Sequence, residues 1–218
     1  MRIFAETNKL SQEWIIFIIV GSVVALIVVF LLFYLPLKSR YTKNKFHEHY
    51  YRRISSIVKN NDYYLINNFL FRVDESNVAK VDHVVFAEKY IYLINDYYYE
   101  GDITGNIDDS SLIYYSFKGK DKGKKYYTDN PFVPAEKSLT RLSAITGIDK
   151  SMFIGIILVN DTCNNDIQTN SNQYYIIRRK RLAALIKAIE SRDVARINPE
   201  QLDKVVKSFD KLNRRKRK

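Results

Sequence analysis

The chain has 218 residues, enough for one membrane anchor and one domain of ordinary size, and a net charge of +11. Its single cysteine, Cys163, excludes an intramolecular disulfide framework and fits a reducing compartment. The three histidines lack the cysteine partners of a zinc-binding pattern. Two flanks, residues 38–59 and 211–218, carry +6 each, and the stretch between them is close to neutral. The isoelectric point alone is therefore weak evidence for a nucleic-acid-binding domain.

An uncharged apolar stretch runs from Trp14 to Leu37. At about 1.5 Å per residue it is long enough to cross the roughly 30 Å hydrocarbon core of a bilayer. Trp14 and Tyr34 suit the two interfaces, and Pro36 predicts the end of the helix. The stretch exceeds the apolar core of a signal peptide, about 7–15 residues, and lacks a small-residue cleavage site. The sequence therefore predicts one transmembrane helix over residues 14–37.

The flanking cations predict the orientation of this helix. Arg2 and Lys9 precede it, and the cations that follow closely are Lys38, Arg40, Lys43 and Lys45. The positive-inside rule places residues 1–13 outside the cell membrane and the domain in the cytoplasm. Residues 38–45 then form a basic juxtamembrane linker in reach of anionic lipid. A second basic run could contact lipid or nucleic acid or remain a solvated tail; it consists of Arg214, Arg215, Lys216, Arg217 and Lys218.

Residues 46–192 show alternating helical and strand-like patterns. An amphipathic helix begins at Phe46 and ends at residues 60–62. Strands are predicted at residues 63–71, 81–87, 90–98, 111–117, 152–159 and 174–177. Further helices are predicted at residues 135–146, closed by Gly147, and at residues 180–191. A last helix, residues 199–212, and the basic tail form the C-terminal segment, residues 193–218. Polar loops are predicted at residues 118–125 and 161–172. This order predicts one α/β domain, an α+β mixed sheet flanked by helices.

Several segments in this order resemble the NERD (nuclease-related) domain, a branch of the restriction-endonuclease-like PD-(D/E)XK fold. The clearest is Val81-Asp82-His83-Val84-Val85, which is similar to the family's I-D-H-V-V strand. Residues 90–105 follow the pattern G-I-F-V-I-E-x-K-x-x-x-G-x-I-x-G. Asn130-Pro131 opens a helix as the family's N-P-x-x-Q does, and residues 156–159 and 174–177 are similar to its last two strands. Glu48 resembles the glutamate of the family's G-E pair, with His47 in place of the glycine.

The resemblance implies a site in which carboxylates on adjacent strands hold Mg²⁺ and a lysine lies two residues after the second carboxylate. Here Asp82 keeps the first carboxylate and is the candidate metal ligand. The second carboxylate position is Asn95, the lysine position is Tyr97, and the glutamine position is Pro134. An amide is a weak Mg²⁺ ligand, and tyrosine supplies no cation. Asp96 is a carboxylate, but alternation along a strand sends it to the face opposite Asn95 unless a bulge shifts the register.

These substitutions favour a catalytically inactive, membrane-tethered module that binds nucleic acid or a protein partner at the cytoplasmic face. No cofactor is expected in that case. Candidate cations for nucleic acid are Arg178, Arg179, Lys180 and Arg181, the loop at residues 118–125 and the basic tail. A Mg²⁺-dependent nuclease with a rearranged site is the first alternative. A structural component of a membrane assembly is the second. Tyrosines at residues 97–99 and 114–115 could stack bases or simply pack within the domain.

Overall fold

The computed structural model describes residues 2–74, 77–169 and 171–214. Within the first helix, side chains are described for residues 14–34, 37, 43 and 44 only. The chain divides into two compact units, residues 1–45 and residues 46–218.

The first unit is a single helix, α1 (Arg2–Asn44). It contains one span, Trp14–Tyr34, with a mean hydropathy of 3.4, none of which is buried within the protein. The span is apolar all round, and it is long and apolar enough to cross a membrane. The predicted end at Pro36 is wrong, because the helix continues for eight further residues to Asn44. Pro36 lacks an N–H group, so the helix continues past it with one backbone hydrogen bond fewer.

The second unit is built on a five-stranded sheet with the strand order β1-β2-β3-β7-β9. Its strands are β1 (Tyr64–Arg72), β2 (Val78–Phe86), β3 (Ile91–Asp96), β7 (Phe153–Val159) and β9 (Tyr174–Arg178). The first three pair antiparallel, and β3, β7 and β9 pair parallel. The tight turn between β2 and β3 is closed by the Ala87 N–H, which donates to the Tyr90 carbonyl at 3.0 Å. The sheet is therefore mixed, as the sequence predicted.

Both faces of this sheet are covered, which explains the continuous apolar run of β7, every residue of which is buried. The helices are α2 (Phe46–Asn61), α3 (Phe132–Thr146), α4 (Leu182–Glu190) and α5 (Pro199–Leu212). One core contains residues of α3 and α5, and the other contains residues of α2 and α4. Phe209 of α5 is fully buried against Phe69 and Phe86 at ring distances of 5.3 and 5.1 Å. Helix α5 thus belongs to the folded unit, residues 46–218.

A second, four-stranded sheet with the order β6-β5-β4-β8 was not predicted. Its strands are β4 (Gly101–Asn106), β5 (Ser111–Ser116), β6 (Lys125–Asp129) and β8 (Asn165–Gln168). Of these four strands only β5 was predicted. The loop predicted at residues 118–125 ends where β6 begins, and the loop predicted at residues 161–172 contains β8. These two strands form the edges of the sheet and are largely exposed, so they lack the apolar alternation that marks a strand in sequence.

Candidate metal centre

Three ligand-type side chains meet at one end of the five-stranded sheet. Asp82 comes from β2, Asp96 is the last residue of β3, and His47 lies in the first turn of α2. One ligand atom from each lies within 4.8 Å of the other two. The three residues line a cavity of about 300 Å³ together with Glu48, Tyr51, Asn67, Asn68 and His83.

Asp96 is the most deeply buried member of the cluster, with 6% of its surface exposed. Its Oδ2 lies 3.0 Å from His83 Nε2 and 3.0 Å from His47 Nδ1. Its Oδ1 is buried and has no hydrogen-bond partner among the described residues. A buried carboxylate oxygen without a partner is costly, because the charge has left water without gaining a compensating contact. A cation bound at this oxygen would remove that cost.

Asp82 is held beside Asp96 by the backbone. Its Oδ2 accepts a hydrogen bond from the Asp96 N–H at 3.0 Å. Its Oδ1 lies 2.5 Å from the Nζ of Lys80, a side chain that is 49% exposed. The same Oδ1 makes no directed hydrogen bond among the described residues, so the contact with Lys80 is an ion pair. A metal at Asp82 would therefore share one of these oxygens with Lys80 or with the Asp96 N–H.

His83 fixes the orientation of the Asp96 carboxylate. Its Nδ1 lies 2.7 Å from Asn67 Oδ1 while its Nε2 contacts Asp96, and its side chain is 5% exposed. The ring of Tyr51 stacks on it at a centroid distance of 6.4 Å. A hydrogen-bonded imidazole behind a carboxylate is a common way to orient a metal ligand.

The approach of Asp96 to Asp82 depends on a break in strand alternation. In β2, Val84 belongs to one core and Val85 to the other, as alternation requires, but Val81 belongs to the same core as Val84. The residue opposite Asp82 is Asn68, which has a φ of 50° and forms no ladder pair with it. A residue with a left-handed backbone conformation in a strand changes which face of the sheet its neighbours' side chains point to. Alternation in β3 is intact, so Asp96 lies on the face opposite Asn95 as predicted. The change of facing in β2 brings Asp82 to that face, which is the break in register that the sequence analysis left open.

The positions implied by the family pattern are divided between two cavities. Asp82 and Glu48 line the cavity of the cluster, whereas Tyr97 and Pro134 line another of about 560 Å³. Asn95 Oδ1 accepts a hydrogen bond from the backbone N–H of Asp82 at 3.4 Å, so it contacts the backbone of this residue and not its carboxylate. Burial, with smaller contributions from Asp82 and Asp129, raises the pKa of Tyr97, so its hydroxyl stays neutral. Asn95 thus supplies no charged metal ligand, and Tyr97 supplies no cation.

The basic residues predicted to contact lipid or nucleic acid differ in exposure and in whether they form an ion pair. Arg179 forms an ion pair with Asp161 at 2.5 Å, and the Lys180 N–H donates to the same carboxylate at 2.9 Å. Arg178 is partly buried, and Arg181 and Arg214 are exposed, as are Lys43 and Lys45. The side chains of Lys38 and Arg40 lie outside the described part of the chain, as do Arg215, Lys216, Arg217 and Lys218. Their contacts with lipid or nucleic acid stay predictions.

The sequence matches the model of the nuclease-related domain (NERD) family over residues 43–160, more than half of the chain. The chain belongs to the NERD family. No curated protein is significantly similar to it. A solved structure, that of a protein of unknown function named AF1548, is similar with 11% sequence identity and a TM-score of 0.32, over 73% of this chain and 78% of that chain.

Sequence reasoning missed His47, Lys80 and the role of Asp96. His47 lies two residues from His49 and has no cysteine partner, which is not a zinc-binding pattern, and Lys80 precedes the carboxylate rather than following it. Asp96 can join Asp82 only if the register of a strand shifts, and the sequence does not show that shift. The one available signal was Asn68, since asparagine adopts a positive φ more readily than most residues.

Proposed function

We propose that this chain is a membrane-anchored, metal-dependent phosphodiesterase with a rearranged NERD site. The observation that supports it best is the unpartnered, buried Oδ1 of Asp96 beside Asp82 and His47. The expectation of lost catalysis depended on Asn95, Tyr97 and Pro134, which replace the second carboxylate, the lysine and the glutamine of the family pattern. Asp96 supplies the missing carboxylate from the neighbouring position on β3.

The donor set indicates which metal would bind. Two carboxylates suit Mg²⁺ and Mn²⁺, while the imidazole of His47 favours transition metals over Mg²⁺. We therefore expect Mn²⁺ to support activity better than Mg²⁺ does. A divalent cation bound there would polarise a phosphoryl oxygen and lower the pKa of an attacking water.

The remaining residues of the cluster have roles that follow from their contacts. Lys80, half exposed beside Asp82, would offset negative charge that develops on the phosphate. It would replace the family lysine from β2 instead of β3. His83 holds the carboxylate of Asp96, and Glu48 lies in the same cavity on α2. Side chains from two strands and one helix would thus surround a phosphate that enters from solvent past His47.

The anchor is part of the proposal. Helix α1 is long and apolar enough to span a membrane, and the cations that follow its apolar span favour a cytoplasmic domain. Contact of that basic segment with anionic lipid would hold the site close to the membrane surface.

A second candidate is the inactive binding module that the family pattern favours. Its support is that Asp96 Oδ2 already contacts two imidazoles and that Tyr97 supplies no cation. In that case the cluster is a buried polar network, and the domain binds nucleic acid or a membrane-associated protein without cleaving it.

The test uses the full chain in detergent with labelled single- and double-stranded oligonucleotides and Mn²⁺ or Mg²⁺. We expect metal-dependent cleavage that Asp96→Asn and Asp82→Asn abolish and that Asn95→Ala, the matched control on the neighbouring position, preserves. Cleavage that survives Asp96→Asn would overturn the proposed ligand set. No cleavage with either metal would favour the inactive module.

A further inference from the structure

The hairpin formed by β5, its loop and β6 (residues 111–129, here the tyrosine–lysine hairpin) carries most of the exposed aromatic surface of the folded unit. Six aromatic side chains of that unit are exposed among the described residues, and two of them, Tyr51 and Tyr64, lie elsewhere. The other four lie in this hairpin: Tyr115 at 38% exposure, Phe117 at 48%, Tyr126 at 41% and Tyr127 at 72%. Scattered aromatic residues on a surface are ordinary, but four in one hairpin indicate a binding surface.

The pairing of the two strands places three of the exposed side chains on one face. Tyr115 is the ladder partner of Lys125, and Lys125 and Tyr127 are two residues apart on β6. Partners in an antiparallel ladder share a face, as do residues two apart. The ammonium of Lys125 lies 5.4 Å from the centre of the Tyr127 ring. The outer face of the hairpin therefore presents two aromatic rings with a cation between them.

The opposite face of the hairpin is used for packing. Tyr114 and Tyr126 are ladder partners with ring centroids 6.4 Å apart, and Tyr114 packs against the core. The rings of Tyr114 and Tyr99 have centroids 6.2 Å apart, and the ring of Tyr99 stacks on that of Tyr97. Tyr97, Tyr99 and Tyr114 pack against the core and hold the hairpin against the domain, so the outer rings of Tyr115 and Tyr127 are not needed for the core.

The tip of the hairpin is strongly basic. Between Phe117 and Tyr126 there are five lysines and one acid, Asp121. All five lysines are exposed. Lys124 pairs with Asp121 at 2.8 Å and Lys118 with Glu100 at 3.5 Å. Lys120 and Lys122 make no ion pair within the described residues, which leaves them available for an anionic ligand.

We propose that the tyrosine–lysine hairpin binds single-stranded nucleic acid. This inference rests on the proposed function, in which nucleic acid is the substrate, and adds that the bound nucleic acid is single-stranded. Bases stack on Tyr115 and Tyr127, and the lysines at residues 118–125 contact phosphates. Alternating rings and cations suit a single strand, because its bases are free to leave their own stack, whereas a duplex presents only backbone and groove edges.

An anionic membrane surface is the competing occupant, and the arrangement of the hairpin argues against it. A segment that enters a bilayer interface has apolar or aromatic residues at its tip. The tip here contains only lysines, glycines and Asp121, and the aromatic rings lie further back on the strands. Lysines also protect β6, an edge strand, from pairing with other chains, but that role does not require exposed rings.

The first experiment measures fluorescence anisotropy of labelled oligothymidine and of a duplex of equal length with the full chain in detergent. EDTA is present throughout, so binding is scored without the metal site and separately from cleavage. We expect tighter binding of the single strand. Removing a ring in Tyr115→Ala or Tyr127→Ala should weaken binding by about ten-fold or more, while Tyr→Phe at either position retains affinity. Tyr64→Ala, which removes a ring of similar exposure on β1, is the matched control.

The second measurement is the salt dependence of the same binding. Each lysine that contacts phosphate contributes about 0.7 to the slope of log affinity against log salt for a single strand. We expect Lys120→Ala/Lys122→Ala to reduce the slope by about 1.4, and Lys59→Ala on α2 to leave it unchanged. Equal affinity of the wild type and both ring variants would overturn the proposal.

The membrane alternative is tested with Trp14→Phe/Tyr127→Trp, which places the chain's only tryptophan in the hairpin. In nanodiscs of brominated anionic lipid, we expect its emission to be quenched by added oligothymidine and not by the bromine atoms. Quenching by brominated lipid that oligothymidine does not relieve would assign the hairpin to the membrane and overturn the proposal.

Discussion

Replacing Asp96 by asparagine tests the metal site through the stability of the folded protein. The substitution keeps the volume of a side chain that is 6% exposed and removes only its charge. A metal that binds the folded chain alone stabilises it by about 2.7 kcal/mol when its concentration is 100 times the dissociation constant. For a folded unit of this size, that is about 5–10 °C in the unfolding temperature.

We expect Asp96→Asn to weaken Mn²⁺ binding by at least about 100-fold, since even outer partners of metal ligands cost about 10–100-fold. At the same Mn²⁺ concentration the stabilisation falls to about 0.4 kcal/mol, or about 1 °C. The assay is thermal unfolding of the full chain in detergent, with Mn²⁺ and with EDTA. The quantity compared is the metal-induced shift within each variant, so any change in metal-free stability cancels.

Asn95→Ala is the matched control and should keep the full shift, because Asn95 contributes only a 3.4 Å hydrogen bond to the Asp82 backbone. A full shift in Asp96→Asn together with a lost shift in Asn95→Ala would refute the reasoning. It would place the ligand on the face that the family pattern implies.

Three further predictions concern the fold. Gly101→Ala should destabilise the chain by about 1–3 kcal/mol or more in denaturant unfolding, because the added Cβ would lie 1.9 Å from the Tyr115 carbonyl oxygen; wild-type stability would contradict the observed β4–β5 contact. Burial raises the pKa of the Cys163 thiol to about 12, so iodoacetamide should label it slowly in the native chain and rapidly in denaturant. Fast native labelling would show that this core opens. Burial also raises the pKa of Glu190, which accepts a 2.6 Å hydrogen bond from Tyr92, so the folded chain binds this proton more tightly than the unfolded chain. Its contribution to stability is present at low pH and lost as pH rises through the folded pKa; the decline in unfolding temperature over that range should be smaller in Glu190→Gln.

The parts of the fold that the sequence predicted are those in which local pattern and tertiary packing agree. The apolar run of β7 is buried on both faces, and the hairpin of β2 and β3 turns where the charged pair Glu88-Lys89 interrupts two apolar runs. Helix α3 ends at Gly147, whose φ of 69° suits glycine, as its position predicted. The fold class and the family followed from these elements.

The parts that the sequence did not predict depend on contacts made late in the chain or on exposed edges. Strand β8 is polar because only one of its sides meets the protein, and it pairs with β4 across more than 60 residues of sequence. The neighbourhood of Asp82 and Asp96 was hard to predict for a related reason. Strict alternation sends Asp96 away from Asp82, and only a single left-handed residue on β1, Asn68, accompanies the change of facing in β2. A period-two pattern contains no information about such a break.

The most direct test of the account is the position of a bound metal. Crystals of the full chain grown with Mn²⁺ should give an anomalous scattering peak in contact with carboxylate oxygens of Asp82 and Asp96 and with the imidazole of His47. A peak at Asn95 and Tyr97, or none at Asp96 at a saturating Mn²⁺ concentration, would contradict the account.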